Sequence, residues 1–373
     1  MFQEKNVLLV TRPLCPPWDE GSKNFAYFLA KSLLGIPVSI LTSATIDDLP
    51  ESVTQESIYT SGHFDLRAKV ELFFSLFRFR NRFDITHYLF TPTKLNSWII
   101  RHLVHPTRGK TIQTVATLRE DLYSEDDLRK ILFADRIITY ADQSKHRLEE
   151  MGFAGVERIY PGIDLDFFKP SPKDPELLKR FGFEKDQFIV SYVGEYARLG
   201  ATDMLADAII RFHREHRESP IRFFWALRLK NEADIAKKAE VVQKFTDAGL
   251  GDRFHCSDTF DDVLGLYNLA DVIAFPVSDM KGKFDIPLAV IEPYACAKPV
   301  ILSDIQIFKE FSDDSFSVTV PRDDGKAFLS AVESLYNDRD RLSEMGLAAR
   351  AYMEREFDLK DTAKRYAEIY KNF

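Results

Sequence analysis

Cysteine is scarce in this chain: Cys15, Cys256 and Cys296 are the only three in 373 residues. They are odd in number and have neither metal-ligand nor CxxC spacing, which fits a reducing compartment. Long apolar runs are also missing. No stretch approaches the roughly 20 residues that a membrane span needs. The opening MFQEKNVLLVTRP offers only a short apolar run before Thr11 and Arg12. That start reads as a first β-strand and not as a signal peptide, so a cytoplasmic protein is expected. GxSxG, HExxH, Walker A and GxGxxG patterns are absent, as are low-complexity tracts and short-period repeats. A net charge of −8 argues against general nucleic-acid binding.

What is present is a soluble, globular composition, 45% hydrophobic and 29% charged. The length exceeds what one core usually holds, so two domains are expected. Short apolar runs alternate with amphipathic helical stretches throughout. NVLLV, PVSILTS, ITHYLF, TIQTVAT and RIITY come first; FIVSYVG, IRFFWAL, DRFHC, DVIAFPV, PVILSD and FSVTV follow a Pro- and Lys-rich stretch, KPSPKDPELLKRFGF. This alternation predicts an α/β protein with two doubly wound parallel sheets, over residues 1–167 and 168–355. Residues 356–373 hold a helical stripe of Leu359, Ala363, Tyr366, Ile369 and Tyr370, which must dock on something. In such folds ligands sit beyond the C-terminal strand ends, with the cleft between two domains as the default site.

The loops after strands therefore carry the chemistry. TRPLCPPWDEGSKN puts Gly21 and Ser22 before a helix, where free N–H groups could face an anion or simply make a strand-to-helix loop. YVGEYARLG places Arg198 near Gly194 and Gly200, either as a phosphate clamp or as an exposed loop cation. Arg228 and Lys230 follow the apolar strand FFWAL and could add charge or be solvated. In KGKFDIPLAVIEPYACAKPVILSD, Asp285 precedes Ile286-Pro287 and reads as a helix N-cap. Glu292 has no such reading. Its helical neighbours Leu288, Ala289, Ala295 and Cys296 are apolar, and burying an unpaired carboxylate costs several kcal/mol. The two hydroxyls of a ribose would satisfy it, as would backbone N–H groups or a tyrosine hydroxyl. His87 ends an apolar strand and is either a catalytic or a buried, satisfied imidazole. Asp164-Leu165-Asp166 reads as a turn, not a metal-binding DxD.

Charge is uneven. Between Arg67 and Lys110 the cations exceed Glu71 and Asp84 by seven, which points to an anionic partner at one place. The segment RAKVELFFSLFRFRNRF, Arg67–Phe83, interleaves arginine with phenylalanine. It suits an anionic membrane face, the inner one for a cytoplasmic protein, or an acidic acceptor such as a lipid-linked phosphate. A helix with core phenylalanines and solvated arginines is the alternative.

In order, these motifs resemble those of the GT-B glycosyltransferases, and among them the retaining glycosyltransferase family 4. CPPWDEGSKN stands where the family has PPxxGGxE, FDITH for its yDvvH strand end, and ADRIITYADQSKHRL followed by IYPGIDLDFF for its ADxvixxS…IpNGVD region. YVGEYARLG, LYNLADVIAFPV and the stretch around Glu292 continue the series over nearly the whole chain. The resemblance implies a sugar transferred from a nucleotide-sugar, UDP- or GDP-linked, to a glycan, lipid-linked or other hydroxyl acceptor, with retention and with neither metal nor cofactor. Glu292 would hold the ribose. Asp285, Ile286, Leu288, Gly194, Arg198 and Lys230 would line the donor, while Gly21, Ser22 and Thr117 would lie at the acceptor and phosphate loop. Arg198 and His87 would be the catalytic groups. The terminal helix would cross back to the first domain. Glu195, Phe284 and Ala116 depart from the pattern, standing where the family has an arginine, an acid and a histidine. A binding or scaffold protein with an eroded donor site, or a nucleotide-sugar epimerase, are the competing readings.

Overall fold

The computed structural model describes residues 5–16, 21–90, 93–258 and 262–373. The chain divides into two compact units, one formed by Met1–Asp164 with Phe357–Phe373 and the other by Leu165–Glu356.

In the first unit seven strands form one sheet: β1 (Val7–Leu14), β2 (Val38–Thr42), β3 (Val53–Ser57), β4 (Ile85–Tyr88), β5 (Lys110–Val115), β6 (Arg136–Thr139) and β7 (Val156–Arg158), in the order β3-β2-β1-β4-β5-β6-β7. Every pairing is parallel. The segment Leu359–Asn372 is a helix of this unit. Its stripe of Leu359, Ala363, Tyr366, Ile369 and Tyr370 is buried throughout, as the spacing predicted.

The second unit has β8 (Phe188–Glu195), β9 (Ile221–Arg228), β10 (His255–Ser257), β11 (Val272–Phe275), β12 (Val300–Ser303) and β13 (Ser317–Val320), ordered β10-β9-β8-β11-β12-β13 and again all parallel. Helices cover both faces, so the strands read as nearly unbroken apolar runs; Phe188 through Val193 are all buried. In both sheets the strand order reverses beside the first strand. In the second unit that switch lies between β8 and β11, and the loops after these two strands flank it.

Candidate functional site in the second unit

Two loops meet at the switch point. The one after β8 runs through Tyr196 to Gly200, and the helix Ala201–Glu215 starts directly behind it. Gly200 is required here. Its φ is +82°, and a Cβ on it would lie 2.7 Å from the side chain of Ser278 in the loop after β11. The Ser278 N–H donates to the Leu199 carbonyl at 2.9 Å, closing the contact.

Glu195, the last residue of β8, is buried and collects three cations. Arg198 grips it with two bonds, Nε to Oε2 at 2.7 Å and a second guanidinium nitrogen to Oε1 at 2.8 Å. Lys283 Nζ reaches Oε1 at 3.1 Å and Lys230 Nζ lies 3.8 Å from it. Arg198 also donates to the Gly282 carbonyl at 3.3 Å, so it spans from one loop to the other. Burial alone would raise the Glu195 pKa, but Lys283, then Arg198 and Lys230, outweigh it and hold the carboxyl below its ordinary range. Burial pulls Lys283 below the usual lysine value despite Glu195. The cluster thus keeps a positive surplus at the C-terminal edge of the sheet. Asp234 sets its frame: this buried carboxylate accepts from the Ala197 N–H and from the Lys230 N–H, each at 3.1 Å, and ties the loop after β8 to the loop after β9.

Glu292 lies on the helix Leu288–Ala295, which follows the same switch-point loop. Its Oε2 accepts the Tyr267 hydroxyl at 2.7 Å. No hydrogen bond to Oε1 is made among the described residues, and the side chain retains a partly open face. Burial pushes its pKa up to about 7, against a smaller lowering by Tyr267. A carboxylate with one oxygen committed and one available is half satisfied by the protein.

The remaining expectations are placed as follows. Asp285 is not the helix cap: the helix opens at Leu288, Pro287 holds the cap position without a side-chain bond, and Asp285 is buried before it. Its distance from the first helical turn is the reason. Ile286 is fully buried and Leu288 half-buried, which leaves their main chain for any contact. Gly194 has φ +144°, a conformation that suits glycine, just before the Glu195 cluster. In the first unit, His87 is fully buried. Its Nδ1 shares a 2.6 Å bond with the Tyr370 hydroxyl and its Nε2 a 2.8 Å bond with Thr114 Oγ1, and its ring stacks on Tyr366. Burial lowers its pKa to about 3, so the imidazole is neutral. With both nitrogens committed in the interior, His87 fastens the terminal helix to the sheet and reaches no substrate; the catalytic reading is corrected. Gly21 and Ser22 begin the helix Gly21–Ser32, Thr117 is half-buried after β5, and Pro17–Glu20 of the same motif fall outside the described residues. Among the described residues no cluster of His, Cys, Asp or Glu is arranged to hold a metal ion.

Lys283, Tyr267 and Asp234 were not singled out from the sequence. Lys283 carried a signal, a cation in the KGKFD turn before Glu292; Tyr267 and Asp234 look like ordinary helix residues until the chain is folded.

Comparison with known proteins bears on this site. Residues 187–338 match the family model described as Glycosyl transferases group 1. D-inositol 3-phosphate glycosyltransferase of Thermobispora bispora is 24% identical over 400 residues, 96% of this chain and 92% of that protein. The lipopolysaccharide core biosynthesis mannosyltransferase LpsB of Rhizobium meliloti is 24% identical over 57% of this chain and 60% of its own length. Among solved structures, HepE of Anabaena in complex with UDP and glucose aligns over 100% of both chains with TM-score 0.78 at 16% identity. Sucrose-phosphate synthase of Thermosynechococcus elongatus aligns over 99% of both with TM-score 0.76, also at 16% identity. The chain is a glycosyltransferase of the GT-B fold. The group 1 match lies on the unit that holds the Glu195 cluster and Glu292.

Proposed function

We propose that this protein binds a UDP- or GDP-sugar at the switch point of its second sheet and transfers the sugar, with retention and without a metal, to a hydroxyl of a glycan or lipid-linked acceptor. The observation that carries this is the convergence of Arg198, Lys230 and Lys283 on one buried carboxylate at the end of β8. As the anomeric bond breaks, charge grows on the leaving diphosphate, and fixed cations around it lower the barrier by a few kcal/mol per donor. Lys283 is already largely desolvated, so it gives up little water when an anion arrives. Glu292 holds the ribose, its available oxygen taking the hydroxyls, while the main chain of Asp285–Leu288 and Gly194 lies along the donor. Gly21, Ser22 and Thr117 of the first unit serve the acceptor side. The retaining course, in which the departing phosphate takes the acceptor's proton, needs no protein nucleophile. HepE, whose structure holds UDP, supports a nucleotide in this fold, and the names of the inositol phosphate and lipopolysaccharide relatives support the acceptor class. The basic segment Arg67–Phe83 fits an acceptor presented at a membrane.

The test is incubation of the purified protein with UDP-, GDP-, ADP- and dTDP-sugars, with and without acceptor extracts, followed by measurement of released nucleotide. Release from one donor supports the reading. Tight nucleotide binding with no turnover under any condition would assign the chain to a scaffold role instead, and no binding at all would remove the donor site.

A further inference from the structure

The helix Leu66–Phe79 has two apolar faces. Ala68, Leu72, Leu76 and Phe79 are buried in the first unit. Leu66, Val70, Phe74 and Phe77 are 76%, 47%, 65% and 52% exposed. At about 100° per residue these four fall within an arc of roughly 80°, directly opposite the buried face. Cations border the stripe on both margins, Lys69 and Arg80 on one side, Arg67 and Arg78 on the other. Arg67 pairs with Glu71 at 3.1 Å. Arg78 and Arg80 have no carboxylate partner among the described residues, and Arg80 lies 5.0 Å over the Phe77 ring.

The neighbouring segment, the helix Lys94–Ile99 running on into the helical turn Ile100–Val104, extends the surface. Ile100 and Val104 share a buried cluster with Leu72, Leu76 and Phe79, so the two elements lie on the same face of the sheet. Their outer sides leave Leu95, Trp98 and Leu103 exposed, with Arg101 beside them. Folding has found no use for this apolar surface, since the core is already served by the opposite face.

We infer that the exposed side of Leu66–Phe79, with Trp98 and Leu103 next to it, seats on an anionic phospholipid bilayer. The chemistry is that of an interfacial helix: an apolar stripe enters the acyl boundary, bordering arginines and lysines reach lipid phosphates, and tryptophan prefers the headgroup level. A second copy of the same face is disfavoured, because it would set these cations against their own kind. The proposal extends the acceptor reading above but does not need it. Vesicle binding can fail while transfer to a soluble acceptor persists, and the reverse.

The experiment is co-sedimentation of the full chain with vesicles of phosphatidylcholine alone or mixed with phosphatidylglycerol, at low and high salt. The expected result is binding to the mixed vesicles only, weakened by salt. Phe74→Ser with Phe77→Ser should lose binding by tenfold or more (~1.4 kcal/mol per tenfold), with an unchanged circular dichroism spectrum and melting temperature. Arg78→Gln and Arg80→Gln should each weaken it by about fivefold. Equal binding to neutral vesicles, no binding to either, or full binding by the double phenylalanine variant would overturn the inference. So would a wild-type dimer that this variant turns into a monomer, since the stripe would then be a self-interface.

Discussion

Replacing Glu292 by glutamine removes the charge while keeping the shape, and the structure sets the size of each consequence. Burial moves the carboxyl from 4.5 to about 7, so the interior favours the neutral form by about 3 kcal/mol. A raised folded-state pKa means that this contribution is fully present below about 4.5 and is lost as pH rises through about 7. The apo wild type should therefore lose about 3 kcal/mol across that window from this group, and Glu292→Gln should not. At pH 8 the variant should be the more stable of the two, less about 1 kcal/mol for the weakened Tyr267 bond. Ligand binding runs the other way. A ribose diol donates to the ionised form, so wild-type affinity for UDP or GDP should tighten as pH rises through about 7. The variant should bind on the order of 30- to 100-fold more weakly at pH 8, equivalent to about 2–3 kcal/mol. Urea unfolding of the apo proteins and calorimetric titration with nucleotide across pH measure both effects. The difference between the two proteins cancels the titration of the diphosphate itself. If the variant binds nucleotide normally and is less stable at every pH, Glu292 is a structural partner of Tyr267 and the ribose assignment is wrong.

Three other perturbations are worth making. Glu195→Gln removes the carboxylate charge that Arg198, Lys230 and Lys283 share and should cost about 3 kcal/mol in urea unfolding. Added UDP should raise the variant's melting temperature more than the wild type's, and an unchanged unfolding midpoint would show that the cluster is not coupled. His87 has a pKa depressed to about 3, so its contribution is present above about 6.5 and is lost as pH falls toward 3, on the order of 5 kcal/mol. A His87→Phe variant should lack that slope in acid unfolding curves. Gly200→Ala meets both the positive φ and the 2.7 Å approach to Ser278, and should lose about 2 kcal/mol or more with weaker nucleotide binding; retention of both would show that the loop relaxes cheaply.

The parallel architecture was legible because strands covered on both faces are written as apolar runs, such as Phe188–Val193. β3 and β7 were not. The first, Val53–Ser57, is an edge strand with exposed polar side chains, and the second is three residues long. Glu292 was legible as an acid among apolar neighbours, and a tyrosine hydroxyl stood among the partners considered for it. The Glu195 hub was visible only as a departure from a family arginine, because Lys283 lies 88 positions along the chain from it. Proximity of that kind is a product of topology. Asp285 misled because a residue before Ile-Pro can cap only if the helix starts there, and here it starts later. Arg67–Phe83 showed too many phenylalanines for one buried stripe, but which of them faced out required the orientation of the helix.

The burial of Tyr366 and Tyr370 against His87 and Thr114 also orders events during synthesis. Domains usually complete themselves as they leave the ribosome, the N-terminal one first. Here the segment Leu165–Glu356 is contiguous and can finish while the chain is still growing. The first unit, although its strands are translated earlier, waits for Phe357–Phe373, which emerge only after the whole of Leu165–Glu356. Until then His87 and Thr114 stand in β4 and β5 without their tyrosine hydroxyls. The second unit is therefore the part that can be native first, and the first unit is completed by a segment translated after it.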